Sequence, residues 1–242
     1  MRKKIGIVGF PIMGGFGVPE SYMTFFTQFG DVEIISHTEV NVRGHLDLLV
    51  IPGGPDVDTS RYLEENDKLH LKVGKPCPFR ERFDKVLLPK YIDNRTPIFG
   101  ICRGHQSLAV QFGGKLLQHM SHEGNPSDDR TKLVHETLID MTKTKDFYPF
   151  SKGKEIVSDL RPNDNIIIST NSIHHQVVSE VGEFGKIVAT YNTGKPTKNK
   201  ARIDHIEAIS YTDKYPAITV QWHPEEIEDH FSVTAINYLL NQ

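Results

Sequence analysis

The alternation of short apolar runs with amphipathic segments between residues 5 and 112 constrains the fold more than any other feature of this sequence. Four aliphatic runs predict buried strands at Ile5–Val8, Val32–Ser36, Leu46–Ile51 and Pro97–Ile101. Apolar spacing and flanking glycines predict helices at Glu20–Phe29, Pro78–Asp93 and Gly104–Phe112. Strands that alternate with helices form βαβ units, so we expect a mostly parallel central sheet with helices on both faces.

The second half of the chain carries strand-like runs with few helical segments between them. These runs are Val134–Met141, Ile166–Ser169, Lys186–Tyr191, Ile203–Tyr211 and Ala217–Gln221, followed by a predicted helix at Asp229–Leu240. They indicate antiparallel strands added to the same sheet, or a second small sheet. Because the 242 residues contain no repeat and no clear linker, we expect one α/β domain spanning residues 1–242.

The composition argues against several classes of protein. Hydrophobic residues make up 38% and charged residues 24%, which is the balance of a folded globular chain. The net charge of −3 argues against a nucleic-acid binder, which carries a basic excess. No apolar run approaches the roughly 18 residues of a membrane span. Two cysteines, Cys77 and Cys102, cannot form a disulfide framework, so we expect a reducing, cytoplasmic compartment.

The strongest local motif is Gly100-Ile101-Cys102-Arg103-Gly104, which lies between a predicted strand and a predicted helix. Its glycines permit a tight turn that presents the cysteine at the carboxyl edge of the sheet, where open α/β sheets bind ligands. The helix N-terminus behind the sulfur favours the thiolate, which is the reactive form. The alternative for this motif alone is a buried structural cysteine.

Two further motifs supply the groups that a nucleophilic cysteine needs. Gln221-Trp222-His223-Pro224-Glu225 follows a predicted strand, and in an extended segment His223 and Glu225 point to the same side. His223 can then exchange a proton with the thiol while Glu225 orients the imidazole. Pro52-Gly53-Gly54-Pro55-Asp56 also follows a strand, and its backbone N–H groups can stabilise an oxyanion. Taken singly, each segment is more typical of an ordinary loop.

Taken together and in this order, the motifs resemble the class I glutamine amidotransferase superfamily. The closest resemblance is to its γ-glutamyl hydrolase branch, peptidase C26, similar to γ-glutamyl-γ-aminobutyrate hydrolase. Further stretches carry this likeness: the continuation of the glycine motif through Val57 to Tyr62, Arg80-Glu81-Arg82-Phe83-Asp84, and Asn171-Ser172-Ile173-His174-His175-Gln176. The matching stretches run from about residue 50 to residue 226.

The resemblance implies a three-layer, flavodoxin-like α/β fold and cysteine-dependent cleavage of a γ-glutamyl amide. It implies that Cys102 is the nucleophile, His223 the general base and acid, and Glu225 the carboxylate that orients the imidazole. The backbone N–H groups of Gly54 and Arg103 match the positions that bind the oxyanion. The substrate-binding positions are matched by Gln106, Ser172, His174, His175 and Gln176. The resemblance implies no metal and no organic cofactor.

Three features depart from the pattern of this branch. His105 replaces an apolar residue, Thr59 replaces a proline, and the segment Lys68–Pro78 is unusually basic. We expect all three near the mouth of the pocket, where they affect substrate identity. A second basic run, Lys195–Arg202, is expected to be a solvated loop, with a docking patch for a partner or a nucleic acid as the alternative.

The twelve histidines raise the question of a metal site. The pairs His119/His122 and His174/His175 occur without paired cysteines and without the two-histidine helical motif of zinc proteases. We therefore expect loop or pocket histidines rather than metal ligands.

Three functions from different classes stay open. The first is a free-standing hydrolase that acts on a small-molecule γ-glutamyl amine or a γ-glutamyl peptide, alone or as a homodimer. The second is a glutaminase subunit that delivers ammonia to a separate synthetase. The third is a non-catalytic relative that binds a ligand or a partner. An intact set of nucleophile, base and orienting carboxylate argues against the third.

Overall fold

A large mixed sheet flanked by helices forms the fold in a computed structural model that describes residues 1–120, 129–148, 165–192 and 204–242. The strands are β1 (Lys3–Val8), β2 (Phe10–Ile12), β3 (Gly15–Gly17), β4 (Gly30–Ile35), β5 (Leu48–Ile51), β6 (Ile98–Ile101), β7 (Lys115–Leu117), β8 (His135–Ile139), β9 (Ile166–Thr170), β10 (Val177–Glu180), β11 (Lys186–Asn192), β12 (Asp204–Ser210) and β13 (Ala217–Val220). The helices are α1 (Glu20–Thr27), α2 (Pro78–Arg82), α3 (Leu88–Asp93), α4 (Arg103–Gln111), α5 (Pro224–Ile227) and α6 (His230–Leu239).

The parallel half of the sheet has the order β4-β1-β5-β6-β13. Every residue of β5, β6 and β13 is buried, which is the pattern of parallel strands that are covered on both faces. On one face α1 and α6 pack their aromatic and aliphatic side chains, including Phe26 and Phe231, against the strands. On the other face α3 and α4 do the same with Tyr91 and Leu108. The predicted α/β class with helices on both faces is confirmed.

The antiparallel half continues the same sheet in the order β13-β12-β11-β8-β9, and β10 joins β12 to β7. Of the two arrangements left open by the sequence, the structure therefore has antiparallel strands added to the main sheet. A separate small sheet does exist, but it is the β2–β3 hairpin near the N-terminus. The sequence did not predict β2, β3, β7 or β10, because runs of three or four residues are too short to show a strand period.

The predicted helix Pro78–Asp93 is continuous but irregular, because a π-turn at Phe83–Leu87 joins α2 to α3. Pro89 lies at the start of α3 and has no N–H to donate, so a regular α-helix would leave a carbonyl of the preceding turn without its partner. The other boundary shifts are small. Gly30, which was expected to end α1, instead begins β4.

The neighbouring strands β5, β6 and β13 bring three predicted motifs to one edge of the sheet. Pro52, Cys102 and Gln221 each lie at or beside the carboxyl end of one of these strands, which is where open parallel sheets bind their ligands. In the described ranges, none of the helices has the length and apolar character needed to cross a bilayer. The assignment of one domain to residues 1–242 stays a prediction.

Candidate active site

Cys102 occupies the sharp turn between β6 and α4. Its φ of 50° and ψ of −104° lie in a region that residues with a side chain rarely adopt. The turn is held on both sides, because the Cys102 N–H donates to the carbonyl of Val220 at 2.8 Å and the Cys102 carbonyl accepts from the N–H of Gln106 at 3.1 Å. The thiol therefore lies at the N-terminal end of α4, as the glycine spacing predicted.

Gly104 lets the first turn of α4 approach β5 closely. A Cβ atom at Gly104 would collide with the backbone carbonyl of Ile51, and one at Gly100 would lie 2.7 Å from Thr219 Cγ2. Backbone atoms cannot move aside as a flexible side chain can. The two glycines of the motif are therefore required by packing as well as by the turn.

We expect Gly104→Ala to destabilise the fold by about 3 kcal/mol, the upper part of the usual range for overpacking. The measurement is urea unfolding followed by circular dichroism. Gly44→Ala is the matched control, since a Cβ at Gly44 meets nothing within 4 Å. A Gly104→Ala variant that is as stable as the Gly44→Ala variant would show that α4 and β5 are not closely packed.

His223 and Glu225 meet in a short hydrogen bond. The distance between His223 Nδ1 and Glu225 Oε1 is 2.6 Å, and both side chains are buried. The contact was expected, but the expected extended backbone was wrong. Pro224 begins α5, so Glu225 lies in the first turn of a helix and His223 immediately precedes it. Proline favours this position because the first helical N–H needs no intrahelical acceptor.

The side chain of Cys102 also lies close enough to His223 to influence the imidazole electrostatically. Since Nδ1 faces Glu225, the Nε2 atom is the one left for the sulfur. Burial by itself lowers the pKa of His223, but the charges of Glu225 and Cys102 outweigh it and raise the pKa to about 10. The raised pKa favours a protonated imidazole beside Glu225 and Cys102, and such a group can donate a proton to a neighbouring atom.

Two residues that were not predicted as site residues hold His223 and the glycine loop in place. Asn171 accepts from the N–H of His223 at 2.9 Å and donates to its carbonyl at 3.2 Å. The hydroxyl of Tyr22 accepts from the N–H of Gly53 at 2.9 Å and lies 3.5 Å from His223 Nδ1. Burial and the nearby Glu225 raise the pKa of Tyr22 well above its usual value, so its hydroxyl stays protonated.

Arg80 orients the peptide that links Gly53 and Gly54. Its buried guanidinium donates to the carbonyl of Gly53 at 2.8 Å and to the carbonyl of Pro52 at 2.7 Å. Because a trans peptide points its C=O and N–H in opposite directions, the Gly54 N–H points away from Arg80. Gly54 has a φ of 152°, a conformation that favours glycine. In the sequence Arg80 was noted only as part of the Arg80-Glu81-Arg82 motif. Its neighbours in the chain did not indicate a contact with the glycine loop.

The side chain of Arg103 is committed to a buried ion cluster. It contacts Glu81 at 2.6 Å and Asp84 at 2.9 Å, and Arg61 contacts the same oxygen of Asp84 at 2.7 Å. Burial raises the pKa of Asp84, but the neighbouring arginines outweigh it and keep the carboxyl ionised. Arg103 therefore offers the pocket its backbone N–H, which begins α4 and has no intrahelical acceptor.

The five predicted substrate-binding residues lie around the segment that follows β9. Gln106 donates to the Gln176 carbonyl at 2.9 Å, and His174 Nδ1 contacts the same oxygen at 3.1 Å. The Gln176 side chain donates to the carbonyl of Gln118, and Ser172 is buried. Asn171 places this segment directly beside His223. Binding of substrate by these residues stays a prediction.

The family of this chain is shown by a match to the sequence model of peptidase C26, which covers residues 35–225. The chain belongs to the peptidase C26 family. It is 30% identical to the glutamine amidotransferase-like protein YvdE of Lactococcus lactis, over 85% of this chain and 79% of that protein. It is 26% identical to γ-glutamyl-γ-aminobutyrate hydrolase of Escherichia coli O157:H7, over 79% of this chain and 68% of that protein.

The solved structures place this C26 member among class I glutamine amidotransferase folds. A Thermoplasma acidophilum protein, described as one of the subunits of a GMP synthase, superposes with a TM-score of 0.59. The match covers 100% of this chain and 94% of that one at 16% identity, so the likeness concerns the fold alone. The predicted three-layer fold is thereby confirmed.

The segments in which this C26 chain departs from the family pattern lie in different environments. Lys68–Pro78 lies beside Asp56, which accepts from the N–H of Gly74 at 2.6 Å. The other oxygen of Asp56 lies 3.1 Å from His175 Nε2, as expected for a segment near the predicted pocket. His105 is instead fully buried and contacts Thr219 Oγ1 at 2.8 Å, so its expected place at the pocket mouth was wrong. The second basic run, at Lys195–Arg202, lies outside the described residues, as does His122.

His105 is expected to make the folded protein sensitive to acid. Burial lowers its pKa to about 3, whereas an unfolded histidine titrates near 6.5. Between these two values the unfolded chain binds a proton that the folded chain does not, so stability falls as the pH falls through this window. Between pH 7 and pH 5 we expect the free energy of unfolding of His105→Leu to fall by about 2 kcal/mol less than that of wild type, measured by urea unfolding. Equal losses in the two proteins would contradict this assignment.

Proposed function

We propose that this C26 family member is a cysteine-dependent hydrolase that cleaves a γ-glutamyl amide through a γ-glutamyl thioester. One observation carries the proposal. At the carboxyl edge of the sheet, the imidazole of His223 bonds to Glu225 at 2.6 Å and lies within electrostatic reach of the Cys102 side chain. A thiol, an imidazole and a carboxylate in this order are the groups that nucleophilic acyl transfer requires.

The first half of the proposed reaction forms the thioester. The Cys102 thiolate attacks the γ-carbonyl carbon, and the resulting oxyanion accepts hydrogen bonds from the N–H groups of Gly54 and Arg103. Each such donor is worth about 3–4 kcal/mol to the transition state. His223 then transfers its Nε2 proton to the leaving nitrogen, the C–N bond breaks, and the amine departs. Arg80 acts as a positioning residue, because it sets the direction of the Gly54 N–H.

The second half releases glutamate. Neutral His223 accepts a proton from water while the water oxygen attacks the thioester carbonyl carbon. The tetrahedral intermediate collapses, the C–S bond breaks, and Cys102 leaves as a thiolate beside the imidazolium. Glu225 orients the imidazole and compensates the positive charge on His223. The protons balance over the cycle: each turnover consumes one substrate and one water, and the side chains return to their starting states.

The acyl end of the substrate is assigned to the segment after β9. In this proposal Ser172, His174, His175 and Gln176 lie near the α-amino and α-carboxylate groups, and Gln106 lines the pocket. The position of Asn171 against His223 supports this assignment, since it ties the segment to the proposed reaction centre. The leaving amine then faces the side of Lys68–Pro78 and Asp56.

A second candidate is a glutaminase subunit that passes ammonia to a separate synthetase. This candidate is supported by the similarity of the fold to that of a protein described as a subunit of a GMP synthase. Both candidates use the same thioester chemistry, and they differ in the leaving group and in the need for another protein.

An assay of the purified protein with glutamine and a panel of γ-glutamyl amines separates the candidates. Faster turnover of a γ-glutamyl amine than of glutamine supports the free-standing hydrolase. Glutaminase activity that requires an added synthetase supports the alternative role in ammonia delivery. A protein that turns over none of these compounds, alone or with a synthetase, and forms no adduct at Cys102 contradicts both and leaves the non-catalytic relative.

A further inference from the structure

Three buried side chains outside the Cys102 group converge on one point. They are His135 at the start of β8, His174 in the segment after β9, and Glu207 in the middle of β12. Each offers one atom that can bind a metal ion, and these atoms lie within 4.8 Å of one another. Local spacing in the sequence predicted no metal site, because these residues are far apart in the chain.

The hydrogen bonding of His174 is typical of a histidine that binds a metal ion. Its Nδ1 lies 3.1 Å from the backbone carbonyl of Gln176. A carbonyl only accepts, so Nδ1 carries the proton and Nε2 presents a lone pair. Nε2 is buried and makes no hydrogen bond to any part of the chain that the structure describes. Histidines that bind metals commonly donate their other N–H to a carbonyl in this way, which fixes the tautomer and the ring orientation.

The other two side chains are also constrained. The ring of His135 stacks on Tyr191 of β11, with ring centroids 3.8 Å apart and planes 3° from parallel. His135 Nδ1 lies 4.0 Å from Glu207 Oε1. Glu207 is fully buried, and a buried carboxylate is stabilised strongly by a nearby cation.

The distances between the three ligand atoms are slightly longer than those in a zinc site with the metal bound. Nitrogen and oxygen ligands bind zinc at about 2.0–2.2 Å, which puts neighbouring ligand atoms of a tetrahedral site roughly 3–3.5 Å apart. The 4.0 Å between His135 and Glu207 is somewhat wider. Small side-chain movements would therefore bring the ligands to bonding distance.

We propose that His135, His174 and Glu207 bind a divalent transition-metal ion of the zinc type. Two imidazoles and one carboxylate suit zinc and its neighbours in the first transition series, whereas magnesium and calcium prefer oxygen ligands alone. The ion would link β8, β12 and the segment after β9. It would also help to fix the position of the segment that carries His223. The backbone carbonyl of Glu207 accepts from the N–H of Gln221, two residues before His223, at 2.7 Å.

The test measures zinc bound by the full chain after treatment with a chelator and titration with Zn²⁺. We expect one ion per chain, and a higher melting temperature with Zn²⁺ than without it. Loss of outer-shell contacts alone weakens metal sites about 10–100-fold, so His174→Ala and Glu207→Gln are each expected to weaken binding at least about 100-fold. Unchanged affinity in His174→Ala, or no zinc bound by wild type, would overturn the proposal.

Two matched variants exclude other zinc ligands. Cys102→Ala removes the thiol of the proposed reaction centre, and His119→Ala removes the histidine that contacts His175 at 3.1 Å. Both variants are expected to bind one zinc ion with the affinity of wild type, and loss of binding in either would contradict the assignment.

X-ray absorption of zinc-loaded wild type tests the ligand set even if a variant fails to fold. Two imidazoles with oxygen ligands support the proposal, whereas a sulfur ligand at about 2.3 Å contradicts it. The readouts are metal content, melting temperature and ligand type. None of them depends on the proposed hydrolysis, so either proposal can fail while the other stands.

Discussion

Replacement of Cys102 by alanine is expected to lower kcat for γ-glutamyl amide hydrolysis by about 10⁴-fold or more, because no other group in the proposed mechanism attacks the carbonyl. The measurement is glutamate release by the purified variant under saturating substrate. Cys77→Ala is the matched control, since Cys77 precedes α2 in the segment on the proposed leaving-amine side, and its thiol takes no part in the proposed bond making and breaking. It is expected to keep the wild-type rate. Comparable loss in both variants, or retained activity in Cys102→Ala, would contradict the assignment.

A stability measurement separates loss of chemistry from loss of fold in this series. Cys102 bears a backbone strain at φ 50° that glycine does not feel. We therefore expect Cys102→Gly to be inactive yet about 1 kcal/mol more stable than Cys102→Ala in urea unfolding. Equal stability of the two variants would indicate that the turn is relaxed.

Replacement of Glu225 by glutamine is expected to lower kcat by roughly 10³–10⁴-fold while the fold stays intact. The carboxylate bonds to His223 Nδ1 at 2.6 Å and is one of the charges that raise the pKa of the imidazole. Its removal takes away both the orientation of the ring and the compensation of its positive charge. Glu226→Gln is the control, because Glu226 contacts Arg130 at 2.7 Å and is expected to leave kcat nearly unchanged.

The pH profile gives the Glu225 prediction a signature that a purely structural defect would not produce. In the wild type the pKa of His223 is raised to about 10, so the imidazolium that protonates the leaving amine persists in mildly alkaline solution. The rate is expected to fall as the pH rises through that value. Without the Glu225 charge the pKa is lower, so the decline should begin at lower pH. An identical alkaline limit in Glu225→Gln and wild type would contradict this explanation.

The features predicted correctly from the sequence are those that a local pattern encodes. Strand, glycine turn and helix occur within a few residues around Cys102, and the motifs at Gly53 and His223 also follow strands directly. Because β5, β6 and β13 are neighbours in the sheet, these three local patterns meet in space. The same reasoning reached the contact between His223 and Glu225 although it assumed an extended backbone.

The features that were missed depend on contacts between distant elements. Tyr22 lies on α1, and nothing in its own segment shows that its hydroxyl reaches Gly53. Arg80 and the carbonyl of Gly53, to which it donates, are 27 residues apart in the sequence. His105 is buried because it packs against β13, not because of its own neighbours in the chain. The group of His135, His174 and Glu207 is assembled from three elements in the same way. Such partners appear only when the sheet order is known.

Rapid quenching during turnover, followed by mass spectrometry of the peptide that contains Cys102, tests the central claim most directly. A γ-glutamyl amide with a poor leaving amine and one with a good leaving amine would be compared at early times. We expect one glutamyl group to be attached to Cys102 with the good leaving group, and hydroxylamine to remove it as it removes a thioester. Glutamate release with a persistently unmodified Cys102, or with the glutamyl group on another residue, would contradict the proposed mechanism.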